Sequence, residues 1–323
     1  MRRLWLTLCL ALVAFALTQE ARAQNWPDRT IRIVVPYAPG GGVSVLAQII
    51  AHKLSELVKH PVVIDNRPGA GGNLGADVVA KSAPDGYTIL LHTSAQASAG
   101  SLYKSLPFDP IKDFAPVTMV IATQTIICGS PKNPATTLRE LIALAKAKPG
   151  SMNYASSGPG SSLHLFAELL KVSAGVDFVH IPYRGDAPMI TALLSGDVQL
   201  AFLPQATGLA AIQANHVRPL AVTGRKRMTQ LPSVPTAQEE GVAGFEEGSW
   251  NGMWVPASTP PGVVLAIQQN MAKVLAAPQV RERLISVGQE PVGNAPAEFE
   301  AQFKADIARY AKIIEQAKIP KLD

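Results

Sequence analysis

The chain has 323 residues, 47% of them hydrophobic, and its 29 basic and 24 acidic residues give a formal net charge of +5. This charge is mild and dispersed, which excludes the basic stripe expected of a nucleic-acid-binding protein. The length exceeds what one compact core holds comfortably, so two lobes are expected.

The N-terminus has the pattern of a cleaved secretion signal. Arg2 and Arg3 precede an almost wholly apolar run over residues 4–17, and Ala-Arg-Ala at 21–23 is a small-x-small cleavage site. The run is shorter than the ~20 residues that a membrane-spanning helix needs. We therefore expect residues 1–23 to be a signal peptide and the mature chain to work in the periplasm. Loss of three arginines and one glutamate lowers its net charge from +5 to about +3.

Cysteine usage predicts a fold without disulfides. Of the two cysteines, Cys9 lies in the expected signal peptide, so Cys128 stands alone in the mature chain. An internal disulfide is therefore impossible, and we expect Cys128 to have a buried apolar role.

Apolar strand-like runs alternate with amphipathic helical segments along most of the chain. The predicted strands cover residues 31–35, 62–64, 88–92, 117–122, 125–128, 152–155, 178–181, 198–202 and 219–223. The predicted helices cover residues 44–58, 74–81, 138–148, 163–174, 188–195, 263–275, 279–287 and 298–317. Such alternation predicts parallel sheets, which bind ligands beyond the carboxyl ends of their strands.

Glycine and serine clusters follow three of the predicted strands at this position. The clusters at residues 40–42 and 69–72 open helices, and a serine-rich cluster at 156–162 opens another. Glycine lets backbone N–H groups approach a ligand closely, and the N-terminal end of a helix attracts negative charge. The sequence therefore predicts an anion site that uses no charged side chain.

Motifs for reaction chemistry are missing from the sequence. Residues 69–75 miss the dinucleotide-binding G-x-G-x-x-G by one residue, and neither a P-loop nor a G-x-S-x-G motif occurs. The six histidines show no metal-ligand spacing, and no pair of carboxylates stands out in a glycine or serine rim. We therefore expect no enzyme, no cofactor and no metal. For Ser156, Ser157 and Ser161, helix capping and ligand contact both remain open.

Nine separated motifs, in order over the mature chain, resemble the Bug-type extracytoplasmic solute receptors, the binding subunits of tripartite tricarboxylate transporters. The motifs lie at residues 36–42, 66–72, 84–87, 106–114, 154–158, 160–164, 182–185, 221–223 and 231–236. The resemblance implies an α/β two-lobe periplasmic-binding-protein (Venus flytrap) fold with a mainly parallel sheet in each lobe. It also implies a monomer that captures a small organic carboxylate and delivers it to membrane permease subunits.

Two departures from the family pattern bear on the ligand class. The first loop reads Gly42-Val43-Ser44 where the family commonly continues to an aspartate, and Leu203-Pro204 stand where aspartate and asparagine are common. Fewer acidic and polar rim residues favour a more apolar acid, aromatic acids included, over an amino-group ligand. The alternative is that these positions only shape helix caps.

The expected boundaries place residues 24–124 and 249–323 in lobe 1 and residues 125–248 in lobe 2. We expect Tyr37 and Tyr183 to wall the pocket, Ser44 to cap the first helix, and Arg184 either to pair with a second carboxylate or to lie on the outer face. The expected ligand-binding residues are Tyr37, Gly41, Gly42, Val43, Ser44, Ala70, Gly71, Thr93, Ser94, Ala95, Ser156, Ser157, Gly158, Ser161, Tyr183, Arg184, Gly185 and Leu203. The rival hypotheses are a receptor that signals to a membrane partner and an enzyme that acts on a carboxylate.

Overall fold

The computed structural model of the chain describes residues 26–242 and 248–323. The expected signal peptide lies outside these residues. Within them, no helix combines the length and apolar character that crossing a bilayer requires.

Strands and helices alternate through most of the described chain. The strands are β1 Ile31–Val35, β2 Val62–Asn66, β3 Thr88–Thr93, β4 Phe114–Gly129, β5 Asn153–Ser156, β6 Val179–Pro182, β7 Leu200–Pro204, β8 Arg218–Val222, β9 Gly248–Pro256 and β10 Gln289–Pro291. The helices are α1 Gly42–Val58, α2 Asn73–Ala80, α3 Ala95–Leu102, α4 Leu138–Ala147, α5 Ser162–Ala174, α6 Asp186–Ser195, α7 Gln205–Gln213, α8 Pro261–Ala276, α9 Pro278–Ser286 and α10 Pro296–Gln316, and a 3-10 turn covers Ala70–Gly72.

The strands form two sets that share β4. In the first set β2, β1 and β3 are parallel, and β9, β4 and β10 complete it with antiparallel pairings. In the second set β6, β5 and β7 are parallel, and β4 pairs antiparallel with both β7 and β8. The parallel part of each set is thus three strands whose carboxyl ends lie at one edge.

Strand β4 is a single 16-residue strand where the sequence predicts two shorter ones. Its register runs from Phe114↔Pro256 to Gln124↔Gly248 with β9, and from Thr125↔Pro204 onward with β7. The separate predictions arose because Thr123 and Gln124 interrupt the apolar run. Backbone pairing on both sides keeps them in the strand.

Two hydrophobic clusters form the core. One contains β1, β3, α1 and α8, and the other extends from β4 through the second set to an aromatic group on β9 and α10. In that group Trp250 packs edge-on against Phe299 with ring centroids 5.3 Å apart, and its indole N–H donates to Asp306 Oδ2 at 2.6 Å. Cys128 is fully buried in this cluster, which confirms its expected apolar role.

Candidate ligand-binding site

The expected ligand-binding residues lie mainly at the carboxyl ends of parallel strands in both sets. Tyr37 and Gly41–Ser44 follow β1, Ala70 and Gly71 follow β2, and Thr93–Ala95 end β3 and begin α3. Ser156 ends β5 and residues 157–161 follow it, and Tyr183–Gly185 follow β6. The position agrees with the rule for open parallel sheets.

Tyr37, His92 and Thr93 form a hydrogen-bonded group at the end of β1 and β3. The Tyr37 hydroxyl lies 2.8 Å from Thr93 Oγ1 and 3.2 Å from His92 Nδ1, and the Ala95 N–H donates to Thr93 Oγ1 at 3.2 Å. The Asn66 amide donates to the Tyr37 carbonyl at 2.8 Å, which fixes the loop after β1 to the end of β2. These contacts fix the side chain of Tyr37, which the sequence predicts to lie at the pocket wall.

His92 is neutral in this group. The Thr93 backbone N–H donates to His92 Nδ1 at 2.7 Å, so Nδ1 is an acceptor and the proton of the neutral ring is on Nε2. Burial lowers the pKa of His92 to about 3. A Cβ at Gly72 would overlap the ring at Nε2, so only glycine fits there.

The N-terminus of α1 has no cap. Gly41 is the N-cap residue and offers no side chain, and Ser44 lies inside the first turn, so the expectation that Ser44 caps this helix is wrong. Ser44 is buried, and its hydroxyl has no hydrogen-bond partner among the described residues. The free N–H groups of the first turn and this hydroxyl are therefore available to an anion.

The loop after β2 brings the two sets of strands together. Gly69, Ala70, Gly71 and Gly72 all have positive φ, and the value of 47° at Ala70 is unusual for a residue with a side chain. A Cβ at Gly71 would lie 2.7 Å from Tyr103 Oη and 3.9 Å from the carbonyl oxygen of Pro159, which belongs to the loop after β5. The loops expected to bind ligand from opposite sides are therefore neighbours.

In the second set, Ser156 is tied to a stack of three rings. Its hydroxyl lies 2.7 Å from His180 Nε2, and the His180 ring stacks on His164 and Tyr154 with centroids 4.4 and 4.8 Å apart. The Gly160 N–H donates to His164 Nδ1 at 3.2 Å, and burial lowers the pKa of His164 to about 3. Burial likewise lowers the pKa of His180.

A buried carboxylate closes the far side of this stack. The Tyr154 hydroxyl donates to Glu168 Oε1 at 2.6 Å, and Lys171 Nζ lies 3.1 Å from the same oxygen. Tyr154 and Glu168 are both buried. The network fixes the strand and helix that flank the serine-rich loop.

Two of the three serines in this loop have structural roles. The Ser161 hydroxyl accepts from the His164 N–H at 3.2 Å, which caps α5, and donates to the Gly158 carbonyl at 2.8 Å. The Ser156 hydroxyl is fully buried and contacts the Gly158 backbone. Ser157 is half-buried, and its hydroxyl has no partner within the described ranges.

The distance between Ser156 and His180 is that of a nucleophile–base pair, but the hydroxyl is not exposed and the histidine lacks a carboxylate partner in the part of the chain that the structure describes. Ser156 is 0% exposed, and no carboxylate among the described residues accepts from the other ring nitrogen of His180. The described residues also contain no group of three or more metal-ligating side chains. The arrangement holds a loop in place and does not present a reactive hydroxyl.

The loop after β6 lies beside the serine-rich loop, because Ser156 pairs with Pro182 and the Tyr183 N–H donates to the Ser156 carbonyl at 2.9 Å. Arg184 is exposed. A Cβ at Gly185, as at Gly158, would meet open space. Asp186, one residue beyond the expected set, begins α6 at the same edge, and its carboxyl accepts from the Thr207 hydroxyl at 3.1 Å.

Leu203 differs from the other expected residues. It lies inside β7, fully buried, opposite Ile126 of β4. This placement gives Leu203 a packing role in the second core cluster.

Two sets of parallel strands, joined through β4 and bearing facing loops at their carboxyl ends, define an α/β protein of the two-lobe periplasmic-binding-protein class. Two solved structures closely match this fold. Rpa4515 from R. palustris, solved with adipate, matches with a TM-score of 0.87 and 36% identity, covering 92% of this chain and 100% of that one. MatC from Rhodopseudomonas palustris with bound malate matches with a TM-score of 0.83 and 29% identity, covering 90% and 100%.

The sequence comparisons specify the family. The model of the tripartite tricarboxylate transporter family receptor matches residues 46–319. Protein BugT of Bordetella pertussis is 33% identical over 318 residues, which is 98% of each chain. The chain belongs to the tripartite tricarboxylate transporter receptor family, and the resemblance drawn from the nine motifs is confirmed.

Proposed function

We propose that this protein is a periplasmic receptor that binds a small organic mono- or dicarboxylate between two lobes and delivers it to the permease of a tripartite tricarboxylate transporter. The observation that carries the proposal is the set of unused donors at the two facing edges. The uncapped start of α1 and the hydroxyl of Ser44 lie at one edge, and the hydroxyl of Ser157 lies at the other. Such donors hold an ionised carboxylate without a salt bridge.

The lobes of this proposal are residues 24–124 with 249–323, and residues 125–248. The exchange of β4 partners supports the boundary, since pairing with β9 extends to Gln124 and pairing with β7 begins at Thr125. Contacts made only when both lobes touch the ligand favour the closed form. The permease then recognises that form.

Location, assembly and chemistry complete the proposal. The signal pattern at residues 1–23 supports export to the periplasm, and we propose a monomer with no catalytic activity. The buried setting of Ser156 supports the last point. Incubation of the purified protein with candidate acids should leave them chemically unchanged, and stoichiometric conversion of any acid contradicts it.

A thermal-shift screen with carboxylates tests the binding proposal. A ligand that binds only the folded state stabilises it by mass action and so raises the melting temperature. At a ligand concentration of a hundred times the dissociation constant, the free energy of unfolding rises by ~2.7 kcal/mol. The probes are malate, adipate, succinate and benzoate. The proposal fails if none of a broad carboxylate panel shifts the melting temperature.

Loss of the free hydroxyls tests the site. Ser44→Ala and Ser157→Ala each remove an unpartnered hydroxyl and should weaken the shift, whereas Ser286→Ala on an exposed part of α9 should keep it. Gly71→Ala is a poor test because its Cβ would crowd Tyr103 Oη. An unchanged shift in the double variant Ser44→Ala/Ser157→Ala argues against these edges as the site.

A further inference from the structure

Asp186 places an acidic side chain at the edge of the second set of strands. It is the first residue of α6 and follows Gly185, which has φ 108° and open space where a Cβ would lie. Gly158, in the neighbouring loop, faces open space too. Asp186 is partly exposed and begins its helix next to the loops that contain Gly185 and Gly158.

Within residues 26–242 and 248–323, no basic side chain forms a salt bridge with this carboxyl. Thr207 is its only hydrogen-bond partner in the described part of the chain. Helix α7, strand β7 and residues 156–161 contain no ionisable side chain, and His164 lies just beyond that loop. Arg184 precedes it by two residues and is exposed, and His180 of β6 is held by Ser156. Burial raises the pKa of Asp186.

The Thr207 hydroxyl suits both protonation states of this carboxyl. Its oxygen lies 3.1 Å from Asp186 Oδ2 and 3.2 Å from the carbonyl oxygen of Pro204. A hydroxyl has one proton, so it donates to one of these oxygens. When it donates to Asp186 Oδ2, a proton bound at Oδ1 is free to be donated to a ligand carboxylate. The contact therefore survives proton uptake without movement.

Resting on the proposed function, we propose that Asp186 takes one proton from solvent when a dicarboxylate binds, and then donates a hydrogen bond to a ligand carboxylate. Two carboxylates in one confined site cannot both remain ionised at low cost, so the arrival of an anion favours the protonated form of Asp186. A ligand ammonium group would instead keep Asp186 ionised. The ligand class is therefore dicarboxylates without an amino group.

Calorimetric titration with adipate, malate and aspartate as probes tests the inference. Titrations at pH 7 in two buffers of different ionisation enthalpy report the number of protons taken up. We expect close to one proton per bound adipate or malate, and a dissociation constant that rises up to tenfold per pH unit between pH 6.5 and 8.5. The probe carboxyls are ionised in this range, and the buried His92 and His164 stay neutral because their pKa values are about 3.

Asp186→Asn imitates the protonated side chain and isolates the effect. The variant should bind the same acids with proton uptake near zero and with affinity independent of pH. Asp197→Asn, which makes the same charge change on the exposed turn beyond the other end of α6, should keep the uptake of the wild type. Melting temperatures of both variants establish that they fold.

Three outcomes overturn the inference. The first is that the wild type binds a dicarboxylate without taking up a proton. The second is that Asp186→Asn still takes up a proton on binding. The third outcome is tight binding of aspartate by the wild type and its loss in Asp186→Asn, because Asp186 would then pair with the ammonium group of the ligand. Absence of binding by every carboxylate at every pH is a different result, because it contradicts the proposed function itself.

Discussion

Lowering the pH from 7.5 to 5.0 should reduce the free energy of unfolding by about 2 kcal/mol for each of two buried histidines, His92 and His164. Burial holds the pKa of each ring at about 3, against an ordinary value of 6.5. Both rings accept a backbone hydrogen bond at Nδ1, from Thr93 and from Gly160, which a doubly protonated ring cannot do.

The sign follows from which state binds the proton. Between pH 6.5 and about 3 the unfolded chain protonates these rings and the folded chain does not, so stability is lost as the pH falls. Above pH 6.5 both states are neutral and the effect disappears. The pKa of His180 is lowered too, so it adds loss in the same direction.

Urea unfolding, followed by tryptophan fluorescence at the two pH values, measures this loss. His92→Gln and His164→Gln should each reduce the pH-dependent loss by about 2 kcal/mol, whatever their stability at pH 7.5. His216→Gln, at an exposed position after α7, should leave the loss unchanged. If both buried-histidine variants keep the full dependence on pH, the assignment of neutral rings is wrong.

Three substitutions away from the ligand test the packing and capping contacts by urea midpoint. Gly252→Ala puts a Cβ within 2.8 Å of the Phe299 ring at Cε1 and should cost about 1–3 kcal/mol; a neutral effect would mean that the ring moves aside freely. Tyr154→Phe removes the donor 2.6 Å from Glu168 and should cost about 1.5–3 kcal/mol, unless Lys171 alone satisfies the carboxylate. Thr137→Ala removes the capping box of α4 and should cost about 1 kcal/mol, and no loss would contradict a stabilising cap.

The elements that the sequence predicts well are those whose own residues have a strong apolar pattern. Strand β1 and helix α1 have strong apolar patterns, and both were placed within two residues of their observed bounds. Helices α3 and α7 were missed because small and polar residues leave them without an apolar stripe. Strand β9 was missed because two glycines and an asparagine interrupt it, and its pairing with β3 and β4 is a tertiary effect.

For the candidate site, too, the sequence predicts one part and not another. Glycine and serine clusters mark the strand ends, so the position of the loops follows from the sequence. The partners of those loops do not, because Ser156 meets His180 across 24 residues and Gly72 abuts a ring from β3. Asp186 was overlooked because an acidic residue at a helix start is ordinarily explained by the helix dipole. Only the open space at Gly185 and the absence of a basic partner among the described residues distinguish it.

The partner exchange in β4 is supported by a side chain from the second set. Gln205, the first residue of α7, accepts from the Gln124 N–H at 3.2 Å and from the Thr123 hydroxyl at 3.3 Å. Its amide also contacts Gln230 at 3.4 Å, and a Cβ at Gly288 would overlap its side chain. A backbone N–H at the point where a strand changes partners needs an acceptor, as any buried backbone donor does. Gln205 supplies that acceptor from an adjoining helix, because its side chain pairs the Gln124 N–H where β4 passes from β9 to β7.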